Sequence, residues 1–380
     1  MIQTTKVVSE RIDGLELARF LLSFAVVLYH YFYYGPITGR VIGGTVLYDG
    51  LVYGRFAVEA FFVISGFVIV YSARSRSPLQ FGVARIVRLW PAMAVCATVT
   101  FAMLTLFPAP PDLPGASAYA TAITFLPLAR GGPLLDPSYW SIAVELKFYF
   151  AIFLLITVVG RLKYLMPLCV AWICLSFVAI STDGPVADAL ALLTLSPYSA
   201  FFIFGILLYL IRYEGVGRWA RVLMLPALVL GAFQMNANFA RVDALDGVMS
   251  PAWTGLAITL TTFVGVTAFC FRIASHRWNR LAAKLGAVSY PLYLLHQSLG
   301  FWMINLVTQH LGTAYVLEAT LSTIVAVVAL AFVISELVEP RLRPGAKRVL
   351  EWVSRSIGRW LPAAVFTRLS TTIEPGTRPS

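Results

Sequence analysis

An arginine and a histidine lie in the first apolar segment of the chain, which is long enough to span a membrane. Arg19 and His30 are eleven residues apart, which leaves them on one helix face, about 16 Å apart along the axis. A charged side chain inside a bilayer costs roughly 3 kcal/mol or more, so it is rarely without a role. Histidine is well suited to removing a proton from a hydroxyl near neutral pH. The pair predicts a site that bridges the membrane, with His30 toward the outer side.

A second set of polar residues, Ser141, Glu145 and Tyr149, recurs at spacings of four in a later apolar segment. This spacing places all three on one stripe of a helix. A carboxylate beside an imidazole can orient the ring and raise its basicity, so Glu145 is predicted to lie near the outer end and to orient His30. An ion pair of Glu145 with Lys147 is the weaker alternative, because residues two apart on a helix face different ways.

Two arginines, Arg85 and Arg88, are predicted at the inner end of the third span. Their spacing of three puts both guanidinium groups on one face, which suits bidentate binding of phosphates that arrive from the cytoplasm. A basic inner loop would produce the same pattern without binding anything. Four more residues are assigned to acceptor binding or to structure: Asp13, Glu59, Tyr293 and His296. His296 is either a second polar group of the site or a satisfied core histidine.

The composition requires a membrane protein. The 380 residues are 59% hydrophobic and 12% charged, whereas a soluble domain is typically about 25% charged. The net charge of +11 is attributed to cytoplasmic loops and not to nucleic-acid binding. The four cysteines lie in apolar segments without metal-ligand spacing, so no metal site is expected. Ten apolar runs are predicted to span the membrane: 12–34, 56–73, 89–107, 139–159, 165–181, 197–211, 222–238, 253–271, 285–307 and 315–335.

The distribution of basic residues predicts that both termini lie in the cytoplasm. Most Lys and Arg fall before the first span, in alternate loops and in the tail, while the other loops hold only Arg40, Arg55, Arg130 and Arg241. Segment 117–129 is predicted to be re-entrant or interfacial, because an eleventh span would invert every later loop. We assign residues 10–340 to a transmembrane domain and 341–380 to a cytoplasmic basic tail. The tail is predicted to form an interfacial amphipathic helix, with Val349, Val353, Ile357 and Leu361 on its apolar face, and to end in disorder.

Together these motifs resemble the membrane acyltransferase 3 family over about residues 10–345. The matching motifs, in chain order, are Ile12-Asp13-Gly14-Leu15 before Arg19-x10-His30, Phe61-Phe62 with Ser65-Gly66-Phe67, Arg85-x-x-Arg88 followed by Pro91, Trp140-Ser141 with Glu145 and Phe148-Tyr149, Ser289-Tyr290-x-x-Tyr293-x-x-His296, and Glu339-Pro340. Two positions depart from the pattern. Glu59 stands where many relatives have Asp, and Lys147 stands where an uncharged polar residue is common.

The resemblance implies about ten helices that move an acyl group, often acetyl, from acyl-CoA to a hydroxyl of a glycan or other secreted acceptor. It implies that Arg85 and Arg88 contact the CoA phosphates, that His30 is catalytic, and that Ser141, Glu145 and Tyr149 line the site. In the predicted mechanism the pantetheine arm of acyl-CoA reaches along Arg19 into the helix bundle. His30 is the general base, and Ser141 or Tyr149 donates a hydrogen bond to the developing oxyanion. A covalent acyl-enzyme is the less favoured variant.

The expected partners are acyl-CoA, a hydroxyl acceptor and the lipid bilayer, with no permanently bound cofactor and no nucleic acid. The expected location is the bacterial cytoplasmic (inner) membrane. The competing hypothesis is a proton-coupled transporter of a small polar solute, since intramembrane Arg, His and Glu also suit a proton relay.

Overall fold

The computed structural model describes residues 13–107, 115–125, 132–159, 162–246, 250–271, 279–358 and 369–371. Within these ranges every regular element is a helix and no strand occurs, so the predicted all-α architecture is confirmed. The first seven helices are α1 (Asp13–Tyr29), α2 (Ala57–Ala73), α3 (Pro78–Leu106), α4 (Ala116–Thr124), α5 (Trp140–Val159), α6 (Leu165–Ser181) and α7 (Pro185–Thr194). The next seven are α8 (Ser199–Tyr213), α9 (Gly217–Asp246), α10 (Thr254–Phe271), α11 (Asn279–Leu295), α12 (Ser298–Leu311), α13 (Val316–Val333) and α14 (Glu339–Gly358).

Eight helical stretches in the described part are long and apolar enough to cross a membrane. They contain the predicted spans except the fifth and the ninth. The fifth corresponds to α6, which is apolar but only 17 residues long. The predicted re-entrant segment 117–129 overlaps α4, whose nine residues extend about 14 Å, too short to cross. Large apolar side chains remain exposed on outer helix faces, such as Phe150 and Val325, as a protein surrounded by lipid requires.

The ninth predicted span is not one helix. It divides into α11 and α12 at His296 and Gln297, although the sequence pattern predicts a continuous span over 285–307. The break is stabilised from outside the segment, because Asp136 accepts a hydrogen bond from the backbone N–H of Ser298 at 2.7 Å. This carboxylate satisfies a donor that begins α12, and so supplies a cap that the local sequence lacks.

The last span continues beyond the predicted domain boundary. A helical stretch runs from Thr313 to Ser356, through a π-helical turn at Ile334–Val338 and into α14. Residue 340 therefore lies inside a helix and marks no break. Helix α14 packs against α3, while Val349 and Trp352 are more than half exposed. Leu361 and the last nine residues of the tail lie outside the described residues, and its interfacial position stays a prediction.

Close contact between α2 and α8 centres on two glycines. A Cβ atom added at Gly66 would lie 2.2 Å from the carbonyl oxygen of Phe202, and one added at Gly205 would lie 2.1 Å from that of Val63. Only glycine allows the two backbones to approach this closely, as in small-residue contacts between membrane helices. The two glycines thus form a packing notch, which holds α2 in place beside the cavities described below.

Candidate active site

Three neighbouring cavities form a series through the helix bundle. The basic cavity, of about 620 Å³, lies between α3 and α14. The central cavity, of about 290 Å³, shares the side chains of Arg85 and Arg88 with it. The histidine cavity, of about 490 Å³, contains His30 and shares Val58 and Tyr293 with the central cavity. Arginines thus lie at one end of the series and an imidazole at the other.

The basic cavity collects positive charge from two helices that are far apart in sequence. Its cationic side chains are Arg76, Arg85, Arg88, Arg343 and Lys347. Among the described residues that line this cavity, Glu351 is the only one with a carboxylate, which lies 3.7 Å from Lys347. A cavity with this excess of positive charge suits a ligand that carries several phosphate groups.

A buried carboxylate holds two of these cations in position. Glu339 is 1% exposed and accepts hydrogen bonds from Arg343 at 2.5 and 3.0 Å. The same carboxylate lies 3.8 Å from the Arg88 guanidinium, which is also 6.0 Å from the Tyr290 ring centroid. Arg85 donates to the Ser72 hydroxyl at 2.9 Å. Both predicted phosphate ligands are therefore anchored on one side while they face the cavities.

The central cavity gathers most of the predicted site residues: Arg19, Arg85, Arg88, Ser141, Glu145, Tyr149 and Tyr293. Glu145 accepts hydrogen bonds from Ser65 at 2.5 Å and from Tyr149 at 2.7 Å. Arg19 lies 3.3 Å from Glu16, a second acidic residue of this cavity. The predicted alternative, an ion pair of Glu145 with Lys147, does not occur among the described residues.

Hydroxyl groups close the boundary between the central and the histidine cavities. The Ser141 and Tyr293 hydroxyls are 2.7 Å apart, and both also lie within hydrogen-bond distance of the Ser138 carbonyl, at 3.2 and 3.0 Å. Because the carbonyl can only accept, the two hydroxyl protons are committed to this cluster. Tyr149 likewise donates to Glu145. The hydroxyl protons of Ser141 and Tyr149 are both engaged in hydrogen bonds. Their predicted donation to an oxyanion therefore requires one of these hydrogen bonds to break first.

His30 is held in one tautomer by its neighbours. Its Nδ1 lies 2.9 Å from the Val26 carbonyl oxygen, which can only accept, so Nδ1 carries the proton. The same Nδ1 lies 3.2 Å from Nε2 of His296. Nδ1 of His296 donates to the Tyr293 carbonyl at 2.7 Å, which leaves its Nε2 as an acceptor. The lone pair of His30 is therefore on Nε2, where a general base needs it.

The predicted pairing of His30 with Glu145 is wrong. The two residues line different cavities, and His296 stands next to His30 instead. The reason is the position of Glu145 along the axis of α5. Ser141 lies at the boundary between the cavities, and Glu145 is one turn, or about 6 Å, further along the same face. Its carboxylate therefore faces the arginines of the central cavity.

His296 has the burial of a satisfied core histidine and also lies beside His30, so both predicted alternatives for this residue stay open. The residue is fully buried and its ring is satisfied by the Tyr293 carbonyl, yet it also touches the His30 ring. Glu59 lines the histidine cavity and accepts a hydrogen bond from Asn238 at 3.2 Å. The side chain of Asp13 lies outside the described set.

Sequence reasoning missed Asp136. This buried carboxylate accepts from the Ser138 backbone N–H at 2.8 Å, from the Ser138 hydroxyl at 2.5 Å and from Ser298. It joins the start of α5 to the start of α12 and so positions the turn that carries His296. The signal in the sequence was the run Asp136-Pro137-Ser138, which is typical of a helix start.

Comparison with known proteins assigns this architecture to a family. A family model described as an acyltransferase domain, of the acyltransferase 3 type, matches residues 12–337. The chain belongs to the membrane acyltransferase 3 family. The chain is also similar to acyltransferase MdmB from Streptomyces mycarofaciens, with 26% identity over 281 residues, 67% of this chain and 70% of that protein. No solved structure matches it. The protein is therefore a multi-pass membrane acyltransferase, and membership in this family favours the enzyme over the transporter hypothesis.

Proposed function

We propose that this membrane acyltransferase moves an acyl group, acetyl by default, from cytoplasmic acyl-CoA to a hydroxyl of a glycan or other envelope acceptor. The observation that carries the proposal is the series of three cavities, with cations at one end and the His30 imidazole at the other. A donor with a phosphorylated head and a long, thin arm matches this shape. The proposed location is the bacterial inner membrane.

At the donor end, the phosphates of CoA bind Arg85 and Arg88, assisted by Arg343 and Lys347 from α14. Charge-assisted bonds between guanidinium groups and phosphate are among the strong hydrogen bonds of proteins. The pantetheine arm then lies in the central cavity beside Arg19, and the thioester comes to rest near Tyr293. The polar lining of the central cavity supports passage of an arm that carries two amide groups.

At the acceptor end, His30 acts as the general base. The acceptor oxygen attacks the thioester carbonyl carbon while its proton passes to Nε2 of His30. The carbon–sulfur bond then breaks, and the sulfur of CoA leaves with the proton that His30 releases. The fixed tautomer supports this role because Nε2 needs no prior proton shift. Direct transfer of this kind involves no acyl-enzyme.

The test is transfer from labelled acetyl-CoA to envelope glycans in membranes that contain the wild type, His30→Ala, Arg88→Ala or Arg348→Ala. Arg348 is an exposed arginine of α14 outside the basic cavity, and serves as the matched control. We expect Arg88→Ala to raise KM for acetyl-CoA by about 10- to 100-fold, since a charge-assisted bond contributes roughly 1.5–3 kcal/mol. Arg348→Ala should leave KM unchanged. Full labelling of glycans by His30→Ala would contradict the catalytic assignment.

A further inference from the structure

The histidine cavity carries positive charge, although the outer side of this protein is predicted to have few basic residues. The loops predicted to lie outside hold only four basic residues, Arg40, Arg55, Arg130 and Arg241. Two of these four, Arg55 and Arg241, line the cavity that contains His30. A membrane protein of this topology needs no outer arginines for its orientation. Their presence beside the proposed base therefore requires a different explanation.

Arg55 lies against an aromatic ring and is incompletely paired. Its guanidinium carbon lies 4.9 Å from the centroid of the Phe56 ring. Its Nη1 atom is buried and has no hydrogen-bond partner among the described residues. A buried donor of a charged group that lacks an acceptor costs free energy, because the group has lost its hydrogen bonds to water. An oxygen of a ligand in the cavity would remove that cost.

Glu59 is the one carboxylate among the described residues that line the cavity. It interacts with the charge of Arg55 from beyond ion-pair distance, and Arg241 forms a hydrogen bond with Tyr198. Glu59 accepts a hydrogen bond from Asn238, and neither Arg55 nor Arg241 forms an ion pair within 4.0 Å among the described residues. Two guanidinium groups thus face one carboxylate that is already engaged. The cavity also presents the rings of Trp140 and Tyr198, which suit a sugar face.

We propose that the histidine cavity binds an acceptor that carries an oxyanion, a carboxylate or a phosphate, close to the hydroxyl that is acylated. Arg55 and Arg241 bind the oxyanion, and His30 faces the hydroxyl. This proposal deepens the proposed function and rests on it for the role of the hydroxyl.

The experiment measures binding to purified protein in the absence of any acyl donor, by calorimetry. The probes are methyl glucuronide, which carries a carboxylate, methyl glucoside, which has a neutral hydroxymethyl group in its place, and inorganic phosphate. We expect the glucuronide to bind the wild type about tenfold more tightly than the glucoside, the effect of about 1.4 kcal/mol from a charge-assisted bond. Competition by inorganic phosphate would show that the oxyanion alone is recognised, whereas its failure to compete would assign recognition to a carboxylate on a sugar.

Three variants decide the assignment. Arg55→Gln and Arg241→Gln should each reduce the glucuronide preference toward one, and Arg55→Lys should retain part of it because the charge remains. Arg40→Gln is the matched control, since Arg40 is exposed and does not line the cavity. Equal binding of the two glycosides, binding of neither, or a preference that survives Arg55→Gln and Arg241→Gln would overturn the oxyanion site. Because no donor is present, these results are independent of the transfer assay that tests the proposed function.

Discussion

At the scale of single residues, the two adjacent histidines have unequal roles. His30 has its lone pair on Nε2, whereas the Nε2 of His296 is occupied by the contact with His30. Removal of His296 leaves the Val26 carbonyl in place, and that carbonyl alone keeps the proton on Nδ1 of His30. In the proposed mechanism His296 is therefore a positioning residue, whose contact limits rotation of the His30 ring.

We predict that His30→Ala lowers kcat by about 10²–10⁴-fold, the usual contribution of a general base. His296→Ala should lower kcat by about tenfold or less, because the tautomer of His30 survives. His310→Ala is the control, since this histidine is exposed at the end of α12. The measurement is kcat and KM for acyl transfer with a saturating donor. Equal losses in His30→Ala and His296→Ala would mean that the two rings act as one unit.

The sequence predicts most residues of the site but not their partners. Spacing along one helix places Ser141, Glu145 and Tyr149 on a single face, and they do line the central cavity. Contact between His30 and His296 depends on how the end of α1 packs against the break between α11 and α12. No local sequence pattern predicts this packing. The predicted contact of Glu145 with the His30 imidazole is wrong for the same reason. Helix periodicity gives the face on which a residue lies, but not the position along the helix axis at which a neighbouring helix contacts it.

At the scale of helices, the Gly66–Gly205 contact sets the distance between α2 and α8. We predict that Gly205→Ala destabilises the protein by about 1–3 kcal/mol, because the added methyl group meets the Val63 carbonyl at 2.1 Å. Gly265→Ala is the matched control, since a Cβ there meets nothing within 4 Å. It should be neutral or stabilising by up to about 1 kcal/mol. Thermal unfolding in detergent measures both, and a neutral Gly205→Ala would contradict the close approach.

The break between α11 and α12 depends on Asp136. We predict that Asp136→Asn costs about 1–3 kcal/mol, because the buried amide cannot accept all the bonds that the carboxylate accepts from Ser138 and Ser298. It should also lower kcat, since the turn that carries His296 loses its anchor. Asp183→Asn, at an exposed position, is the control for the change of charge. Unchanged stability and kcat in Asp136→Asn would refute this role.

Hydropathy predicts the helical class and nearly all spans, because twenty apolar residues in a row have few other structures open to them. It does not predict the break at His296 and Gln297. The hydrogen bond that caps the start of the next helix, α12, comes from Asp136, which lies 162 positions before Ser298 in the chain. The extension of the last span into α14 was also missed, because a change from apolar to basic composition indicates the edge of the membrane and not the end of a helix.

At the scale of the whole molecule, the proposed function requires the basic and histidine cavities to open on opposite sides of the membrane. We predict that Arg40→Cys reacts with an impermeant maleimide from outside intact cells, and that Lys347→Cys reacts only after lysis. Both are introduced into a variant in which the four native cysteines are replaced. Mass spectrometry of the labelled protein provides the measurement. Labelling of both positions from one side would contradict the predicted topology and transfer across the membrane.

Val58 and Tyr293 line both the central and the histidine cavities, and they separate the proposed donor from the proposed acceptor. In the proposed mechanism, these two side chains stand between a thioester in the central cavity and the water that fills the histidine cavity when no acceptor is bound. We expect this separation to slow hydrolysis of the donor until an acceptor displaces that water. The cell would then consume cytoplasmic acyl-CoA only as fast as acceptor arrives on the outer side of the membrane. Use of the donor inside would match the amount of acceptor outside without a separate regulatory protein.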